Sequence, residues 1–201
     1  ATPGTGSVVP TLVSTQLMTT PGGQAFTGDS SAFASGLRFD PEGVRVAKGG
    51  NSLFVSDEYG PYVYEFNRGN GQLIRKLDVP AKFQISHPSA NGTAELPSGN
   101  TSGRQSNRGM EGLAITPNGS LLVGAMQNAL IQDGALNAGN TRVGLNNRLL
   151  TIDTTTGATR EYVYQLDAAS LGVNEILAIN DHAFPVIERD GAVGSNAKVK
   201  K

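Results

Sequence analysis

Residues 107–126 read Asn-Arg-Gly-Met-Glu-Gly-Leu-Ala-Ile-Thr-Pro-Asn-Gly-Ser-Leu-Leu-Val-Gly-Ala-Met. Two short apolar runs, 113–115 and 121–123, flank a Pro-Asn-Gly segment in this stretch. The pair Asn118-Gly119 is typical of tight turns with positive φ, so the stretch predicts a β-hairpin. Glu111 stands directly before the first of the two strands. This combination of an acidic residue and a following strand is the pattern to seek elsewhere in the chain.

The same kind of strand start occurs twice more, and the three carry Glu42, Glu111 and Glu175. Their spacing of about 65 to 70 residues is longer than the roughly 40 to 50 residues of common propeller repeats, so long loops must make up the difference. Each glutamate is followed by further strand-like runs separated by Gly, Pro, Asn and Asp. The four-stranded antiparallel blade of a β-propeller fits this pattern best.

Strand-like runs can be assigned to blades in chain order. The first blade opens at 40–46, after an apolar alternation at 33–39, and continues through 52–59, 62–66 and 72–79. The second blade takes 111–115, 121–126, 148–153 and 159–166, and a third begins with 175–179 and 184–189. Two long polar insertions, 80–108 and 127–147, interrupt the pattern, and such loops are often functional. A separate strand is expected at 11–18.

The predicted fold class is therefore an all-β propeller that is incomplete in this chain, with about two and a half blades where a ring usually has four to eight. We treat residues 1–201 as a single propeller domain, with 1–32 as a poorly defined N-terminal segment. Three explanations are open: the remaining strands are absent from this chain, they are supplied by another chain, or the count of blades is wrong. An open sheet edge would invite such pairing.

Composition excludes several classes of protein. The 201 residues include 26 Gly and 10 Pro, and 16% are charged, which is typical of a loop-rich β protein. A net charge of −1 gives no electrostatic reason to expect nucleic acid as a partner. Without cysteine there are no disulfides or thiolate metal sites, and no apolar run approaches the ~20 residues of a membrane span. A chain that begins without Met and is rich in Asn, Thr, Ser and Gly suggests a secreted or periplasmic protein.

Five short segments of the chain carry a resemblance to a known family. They are Asp40-Pro41-Glu42-Gly43, Val55-Ser56-Asp57-Glu58-Tyr59-Gly60-Pro61, Asn107-Arg108-Gly109-Met110-Glu111-Gly112-Leu113-Ala114, Arg148-Leu149-Leu150-Thr151-Ile152-Asp153, and Ile179-Asn180-Asp181-His182 with Val186-Ile187-Glu188-Arg189-Asp190. Taken in order, these segments resemble the phytase-like family described by the esterase-like activity of phytase. The resemblance implies a secreted or periplasmic β-propeller of about twice this length, of which this chain is the middle. It also implies an activity analogous to that of calcium-dependent propeller phytases.

Acidic residues at strand ends are the candidates for a metal site. A propeller points several such residues towards one mouth of its channel, and clustered carboxylates repel each other unless a cation or a proton intervenes. Oxygen ligands of this kind suit Ca²⁺, which could bind a substrate oxygen and activate water. The alternative is that these acids cap turns or pair with arginines. The predicted metal ligands are Glu42, Asp57, Glu58, Glu111 and Glu188.

Two arginines and one histidine complete the candidate site. Arg108 and Arg189 lie close in sequence to Glu111 and Glu188, and guanidinium forks bind phosphate oxygens in a bidentate manner. Glu111 and His182 are the catalytic candidates, with His182 as a general acid or base. The alternatives are a structural Arg–carboxylate pair for Arg189 and a loop hydrogen bond for His182.

The predicted function is a calcium-assisted hydrolase acting on an anionic ester or phosphoester. Serine chemistry is not supported, because no Gly-x-Ser-x-Gly elbow is present, and neither a phosphate-binding loop nor a dinucleotide fingerprint occurs. Two alternatives remain open. One is a non-catalytic propeller whose two long loops bind a partner, and the other is a lactonase-type propeller with carboxylates around a divalent metal.

Overall fold

A computed structural model describes residues 12, 14–29, 35–60, 62–97 and 99–199, and its regular structure is β-sheet with short 3₁₀ turns. Within the described residues, ten strands form two four-stranded sheets and one two-stranded sheet, all antiparallel. The strands are β1 (Pro41–Val46), β2 (Ser52–Asp57), β3 (Val63–Asn67), β4 (Leu73–Leu77), β5 (Met110–Ile115), β6 (Leu121–Met126), β7 (Asn146–Asp153), β8 (Thr159–Gln165), β9 (Gly172–Ile176) and β10 (Val186–Arg189).

The two four-stranded sheets are blades with strands in sequence order, β1-β2-β3-β4 and β5-β6-β7-β8. Their central strands are buried on both faces. In β2, Phe54 packs towards the second blade, while the neighbouring Val55 packs with Tyr64 and Phe66 on the opposite face. This burial of both faces explains why the strands read as apolar runs, as the prediction of stacked blades requires.

The two blades share one core. Side chains from the first blade, including Phe54 and Val63, meet Leu122, Leu150 and Ile152 of the second. A second cluster, with Val123, Ala125, Val173 and Ile176, joins the second blade to the β9–β10 sheet. Each sheet therefore packs face to face on the next, which is the stacking of a propeller.

Glycines allow the innermost strands β1, β5 and β9 to lie directly beside one another. A Cβ atom at Gly43 would lie 2.7 Å from the Cβ and 2.8 Å from the backbone nitrogen of Leu113 on β5. A Cβ atom at Gly112 would lie 3.0 Å from the backbone nitrogen of Ile176 on β9. No larger residue fits at Gly43 without displacing the neighbouring blade, so the Glu-Gly pairs at the strand starts serve the convergence of strands at the propeller centre.

The third sheet differs from its predicted position. The first strand was expected at 175–179, but β9 covers Gly172–Ile176, and Ile179 is exposed. The apolar residues at 176, 177 and 179 led to a predicted strand that begins and ends too late in the chain. The residues of this strand that pack in the core are Val173 and Ile176. Among the described residues this sheet has two strands, and further strands would be needed for a full blade.

The turn between β5 and β6 also differs from the expectation of two positive-φ residues. Gly119 has φ of 75°, whereas Asn118 is not in the left-handed region. The amide of Gly119 donates to the carbonyl of Thr116 at 2.8 Å, which closes a four-residue turn. The side chain of Asn118 accepts hydrogen bonds from Thr116 Oγ1 and the Ser120 amide at 2.8 Å each, so Asn118 stabilises the turn through its side chain.

The long connections are packed against the blades. The 80–109 connection contains 3₁₀ turns at Ala81–Phe83 and Gly92–Glu95, and Phe83 is fully buried in the core between the blades. The connection from β6 to β7 contains a 3₁₀ turn at Ile131–Asp133. Asp133 forms an ion pair with Arg148 at 2.8 Å. Both insertions are thus anchored at defined points.

The N-terminal segment adds to the first blade without forming the strand expected at 11–18. Residues 14–18 are irregular, and 11 and 13 lie outside the described residues, as do 33 and 34 of the apolar alternation. Thr19 makes an isolated bridge to Gln72, and Phe26 packs on Tyr64. Within the described part of the chain, no helix has the length or the apolar character to span a membrane.

Candidate functional site

β-Bulges place a polar side chain at the same position of each innermost strand. The strand register shifts around Glu42 in β1, at Glu111 in β5 and at Asn174 in β9. A bulge re-aims a side chain, and here it does so at equivalent points of three neighbouring strands. Asn174 is therefore the structural counterpart of Glu42 and Glu111. The sequence pattern predicted Glu175 as that counterpart, and this prediction was wrong.

Glu175 has a different neighbour. Its carboxylate forms an ion pair with Arg45 of β1, with 2.9 Å between Arg45 Nη2 and Glu175 Oε2. The same guanidinium donates to the carbonyl of Ile176 at 3.0 Å. Glu175 thus helps to join the first blade to the third sheet.

Asp40, Glu42 and Glu58 form a compact acidic cluster, called here the acidic triad. One carboxylate oxygen from each residue lies within 4.8 Å of the others. Asp40 and Glu42 flank the first residue of β1, and Glu58 follows the last residue of β2, so antiparallel pairing brings them together. The Glu58 amide donates to the Asp40 carbonyl at 3.0 Å, which fixes the two backbones. Asp40 was not among the predicted ligands.

Burial makes the acidic triad electrostatically unfavourable as three charges. Glu58 is 2% exposed, and its Oε1 has no hydrogen-bond partner among the described residues. Burial, followed by the charges of Glu111 and Glu42, raises the pKa of Glu58 to about 8. Although Glu42 is an exposed residue, partial burial of its carboxylate and the charges of Glu111 and Asp40 raise its pKa to about 7, and Arg189 opposes this shift. The triad must take up protons or a cation near neutral pH.

The donor atoms of the acidic triad fit a hard divalent cation. They are carboxylate oxygens, which Ca²⁺ prefers, and the unpartnered Glu58 Oε1 is a free ligand position inside the cluster. Glu42 lies exposed at the edge of the cluster, which leaves access from solvent. The residues present therefore fit a calcium site open on one side.

Asp57, another predicted ligand, has its oxygens occupied by backbone amides. It accepts hydrogen bonds from Asp40 at 3.0 Å, from Tyr59 at 3.1 Å and from Gly60 at 2.9 Å. Burial raises the pKa of Asp57 to about 6, although these three amides oppose that shift. The structure thus gives Asp57 the role of a turn cap that holds the corner carrying Glu58.

Glu111 lies between the acidic triad and a group of positive charges. Its Oε2 accepts a hydrogen bond from Gln127 at 2.8 Å, and its Oε1 accepts one from Asn174 at 3.3 Å. Arg189 Nη2 lies 3.4 Å from the same Oε1. Because the charge of Glu111 also raises the pKa of Glu58, this carboxylate is electrostatically coupled to both sides.

Arg108, Arg142 and Arg189 line a polar cleft of about 280 Å³ beside Glu111, called here the arginine cleft. Gln127 also lines it, and Arg108 Nη1 donates to Gln127 Oε1 at 2.7 Å. Burial, followed by the charge of Arg142, lowers the pKa of Arg108. The hydrogen bonds of Arg108 go to neutral amides, so its charge remains available to an anion. The sequence analysis predicted Arg108 and Arg189 as substrate-binding residues, and both line this cleft, whereas Arg142 was not predicted.

Glu188 and His182 lie elsewhere. Glu188 accepts hydrogen bonds from Tyr164 Oη at 2.6 Å and from the Asp167 amide at 3.2 Å, so it is a buried partner of the second blade. The His182 amide is bonded to Asn180, and its loop reaches Asn118 through Asp181 at 2.8 Å. Asn118 follows the end of β5, whereas Glu111 lies at its start, so a strand of six residues separates His182 from the acidic triad.

The sequence signals for the missed residues differ. Asp40 is two positions before Glu42, and its carboxylate could have been found by asking which residues flank the start of β1. Arg142 comes from the long 127–147 insertion, which carries no repeat pattern and gave no signal. Its place in the cleft depends on the path of that loop alone.

Comparisons with known proteins identify a family and a curated relative. The family model described as phytase-like, with the esterase-like activity of phytase, matches residues 4–201. A relative described as an uncharacterized secreted protein of Arthroderma benhamiae is 33% identical over 154 residues, which are 69% of this chain and 29% of the relative. The chain thus spans less than a third of the length of that curated relative.

Solved structures similar to the chain include WD40 repeats. The RRP9 WD40 structure gives a TM-score of 0.41 at 12% identity and covers 81% of this chain and 38% of its own. The β-propeller domain of Cps50 (Swd1) from Myceliophteria thermophila gives 0.40 at 14% identity, with 79% and 38% covered.

Proposed function

The chain belongs to the phytase-like family, and from this premise we propose that it is a secreted hydrolase that cleaves an ester or phosphoester bond with the help of calcium. The family description names an esterase-like activity, and the matched relative is described as secreted. A periplasmic location would serve the same chemistry. The chain covers part of that relative, so the proposal concerns the site that this part contains.

The observation that carries the proposal is the acidic triad with an unpartnered, buried Glu58 oxygen. The pKa values of Glu42 and Glu58 are raised, so this cluster of three carboxylates is costly to maintain unless a ligand compensates, and perturbed carboxyls of this kind concentrate at functional sites. We place Asp40, Glu42 and Glu58 as the residues that would hold calcium. A bound calcium would supply Lewis acidity towards a substrate oxygen and would lower the pKa of a water.

The arginine cleft supplies substrate binding. Its three guanidinium groups face a polar cavity, and Arg108 donates to neutral partners rather than to a carboxylate. Forked guanidinium donors bind the oxygens of a phosphate or carboxylate in pairs, so Arg108 and Arg189 would orient an anionic substrate with its reacting bond towards the acidic triad. Arg142 would add a third contact.

Glu111 is the residue placed to move a proton. It lies between the triad and the cleft, and Gln127, Asn174 and Arg189 fix both of its oxygens. We assign it the role of general base or acid for the water and the leaving group. His182 has no part in this proposal because it lies at the other end of β5.

The test is hydrolysis of aryl phosphates, aryl esters and lactones with calcium and after chelation. Activity that is lost in chelator and restored by calcium supports the proposal, and the preferred substrate separates it from a lactonase-type propeller. Glu111→Gln should lower kcat by about 100-fold or more. The control Glu65→Gln, a residue of β3 paired with Arg75, should leave kcat unchanged. Equal losses in the two variants would refute the assignment.

A non-catalytic binding module is the second candidate, and one observation favours it. The outer face of the second blade forms an open groove of about 630 Å³ lined by apolar residues such as Val123 and Phe184. Tyr162 on strand β8 also lines this groove and is 51% exposed. A partner chain that completes the third sheet would cover this surface. Binding to such a chain without turnover, unaffected by chelation, would favour this candidate.

A further inference from the structure

The connection between β4 and β5 buries an ion pair beside the acidic triad. Arg104 and Glu95 are each 1% exposed. Arg104 Nη1 lies 2.8 Å from Glu95 Oε2, and its Nη2 lies 3.2 Å from Glu95 Oε1, which is a bidentate pair. Although burial raises the pKa of Glu95, the hydrogen bonds from Arg104 and the Ser89 amide lower it overall. Glu95 is therefore charged, and it forms a salt bridge with Arg104.

Arg104 Nη1 also donates to the carbonyl of Gln105 at 3.3 Å, and the Nε donor of Arg104 is directed at the backbone next to Glu58. Arg104 Nε donates to the carbonyl of Tyr59 at 2.8 Å. The Tyr59 ring is covered on one face by Arg38, whose guanidinium carbon lies 3.4 Å from the ring centroid. The corner of the chain after β2 is thus held by Arg104 at its carbonyl and by the Asp57 carboxylate at the amides of Tyr59 and Gly60.

This corner needs restraint because of the residue it carries. The Glu58 carboxylate is buried next to two other carboxylates, and mutual repulsion favours any backbone movement that separates them. The backbone at Gly109 packs directly against the backbone of this corner. Only glycine allows this approach, since a Cβ atom at position 109 would collide with the Glu58 carbonyl. The corner is therefore enclosed by the end of the long connection and tied to it by Arg104.

Stability alone is a weak reason for a pair of this kind. Desolvation of two charges cancels much of their attraction, and buried ion pairs are often replaced by apolar residues without loss of stability. An apolar pair, however, could not donate a hydrogen bond to Tyr59. The directed bond is thus the feature that the ion pair provides and an apolar packing would not.

We propose that Arg104, oriented by Glu95, is a positioning residue that holds Glu58 in the acidic triad. The 80–109 connection is then a strap that fixes the geometry of the site. The effect of this strap on metal binding rests on the function proposed above, whereas its effect on the position of the Glu58 corner does not.

The test is Arg104→Lys, which keeps the positive charge but cannot bind both Glu95 oxygens and the Tyr59 carbonyl at once. Amide hydrogen exchange is measured in chelator, and calcium binding is measured by titration calorimetry. The corner amides of Glu58, Tyr59 and Gly60 should exchange about tenfold faster or more, while the core amides of Leu150 and Ile152 stay unchanged. Calcium affinity should fall by about tenfold or more.

The matched control is Arg148→Lys. Arg148 also forms a bidentate pair, with Asp133 at 2.8 Å for each bond, but it lies on β7 of the second blade. This variant should leave the exchange of the corner amides and calcium affinity as in the wild type. If Arg104→Lys does not fold, Glu95→Gln is measured in its place, since it preserves the shape of the side chain and weakens the orientation of Arg104.

The outcomes separate the two proposals. Unchanged exchange at the corner, or equally faster exchange throughout the core, overturns the positioning role. Wild-type protein that binds no calcium refutes the proposed function, and the exchange data still decide the role of Arg104. Faster exchange at the corner together with unchanged calcium affinity shows that Glu58 does not contribute to metal binding, and it also overturns the placement of the triad as the metal site.

Discussion

Replacing Glu58 with glutamine should stabilise the metal-free protein at alkaline pH, although it removes a fully buried native side chain. The reason is that the wild-type carboxylate must ionise next to two others. Its pKa is raised from 4.5 to about 8, so the folded state holds a proton that the unfolded chain has lost between those two pH values. Folding stability therefore falls as pH rises through this range.

A shift of this size corresponds to at most about 5 kcal/mol above pH 8, at about 1.4 kcal/mol for each tenfold change in the proton equilibrium. Local rearrangement and water entry reduce the cost, and we expect Glu58→Gln to be more stable than the wild type by about 2–3 kcal/mol at pH 9. At pH 5 the wild-type carboxyl is neutral, so the two proteins should differ by less than about 1 kcal/mol.

The assay is urea unfolding at pH 5 and pH 9 in the presence of chelator. Glu188→Gln is the control, because Glu188 is buried like Glu58 but accepts hydrogen bonds from the Tyr164 hydroxyl and the Asp167 amide. It should be destabilised by about 1–2 kcal/mol at both pH values. A Glu58→Gln variant that is less stable at pH 9, or a difference that does not change with pH, would refute the reasoning.

Three further predictions follow from the same geometry. Calcium affinity should rise from pH 6 to pH 9, because two carboxyls of the acidic triad have pKa values of about 7 and about 8 and must lose their protons to bind the ion; calorimetry showing no pH dependence would contradict this. Gly43→Ala should lower the free energy of unfolding in urea by about 1–3 kcal/mol because its Cβ would press on β5, whereas Gly191→Ala, with open space around it, should leave stability unchanged. Equal losses in the two variants would count against the close approach of β1 and β5. Leu150→Ala should cost about 2–5 kcal/mol by leaving a cavity between the blades, while Val163→Ala on the exposed face of β8 should change stability by less than about 1 kcal/mol; a small effect at Leu150 would contradict the shared core.

The strands of the two four-stranded blades could be predicted closely from the sequence. The strand β6 has the predicted bounds, Leu121–Met126, and β8 ends one residue before its predicted end. The central strand β6 is buried on both faces and follows the Asn118-Gly119 turn, so its apolar run marks it directly. The first strand of the third sheet was predicted three residues too late in the chain, because exposed apolar residues at 177 and 179 extend the apolar pattern beyond the end of β9.

The candidate site was predictable in part, for a physical reason that particular residues make clear. Glu42 and Glu58 could be chosen because they flank strand ends, but a one-residue bulge decides whether Asn174 or Glu175 faces the centre, and a bulge leaves no mark in the sequence. Glu188 and Glu58 are both buried acids at strand ends. The structure separates them by their partners, since Tyr164 satisfies Glu188 and Glu58 Oε1 has no partner among the described residues.

The position of calcium in a crystal of this protein would test the central claim most directly. Anomalous diffraction from crystals grown with saturating calcium at pH 8 should show one strong peak bounded by the carboxylates of Asp40, Glu42 and Glu58, with oxygen ligands at about 2.3–2.6 Å. A calcium peak at another place, or three carboxylates with no ion between them at saturating calcium, would contradict the account.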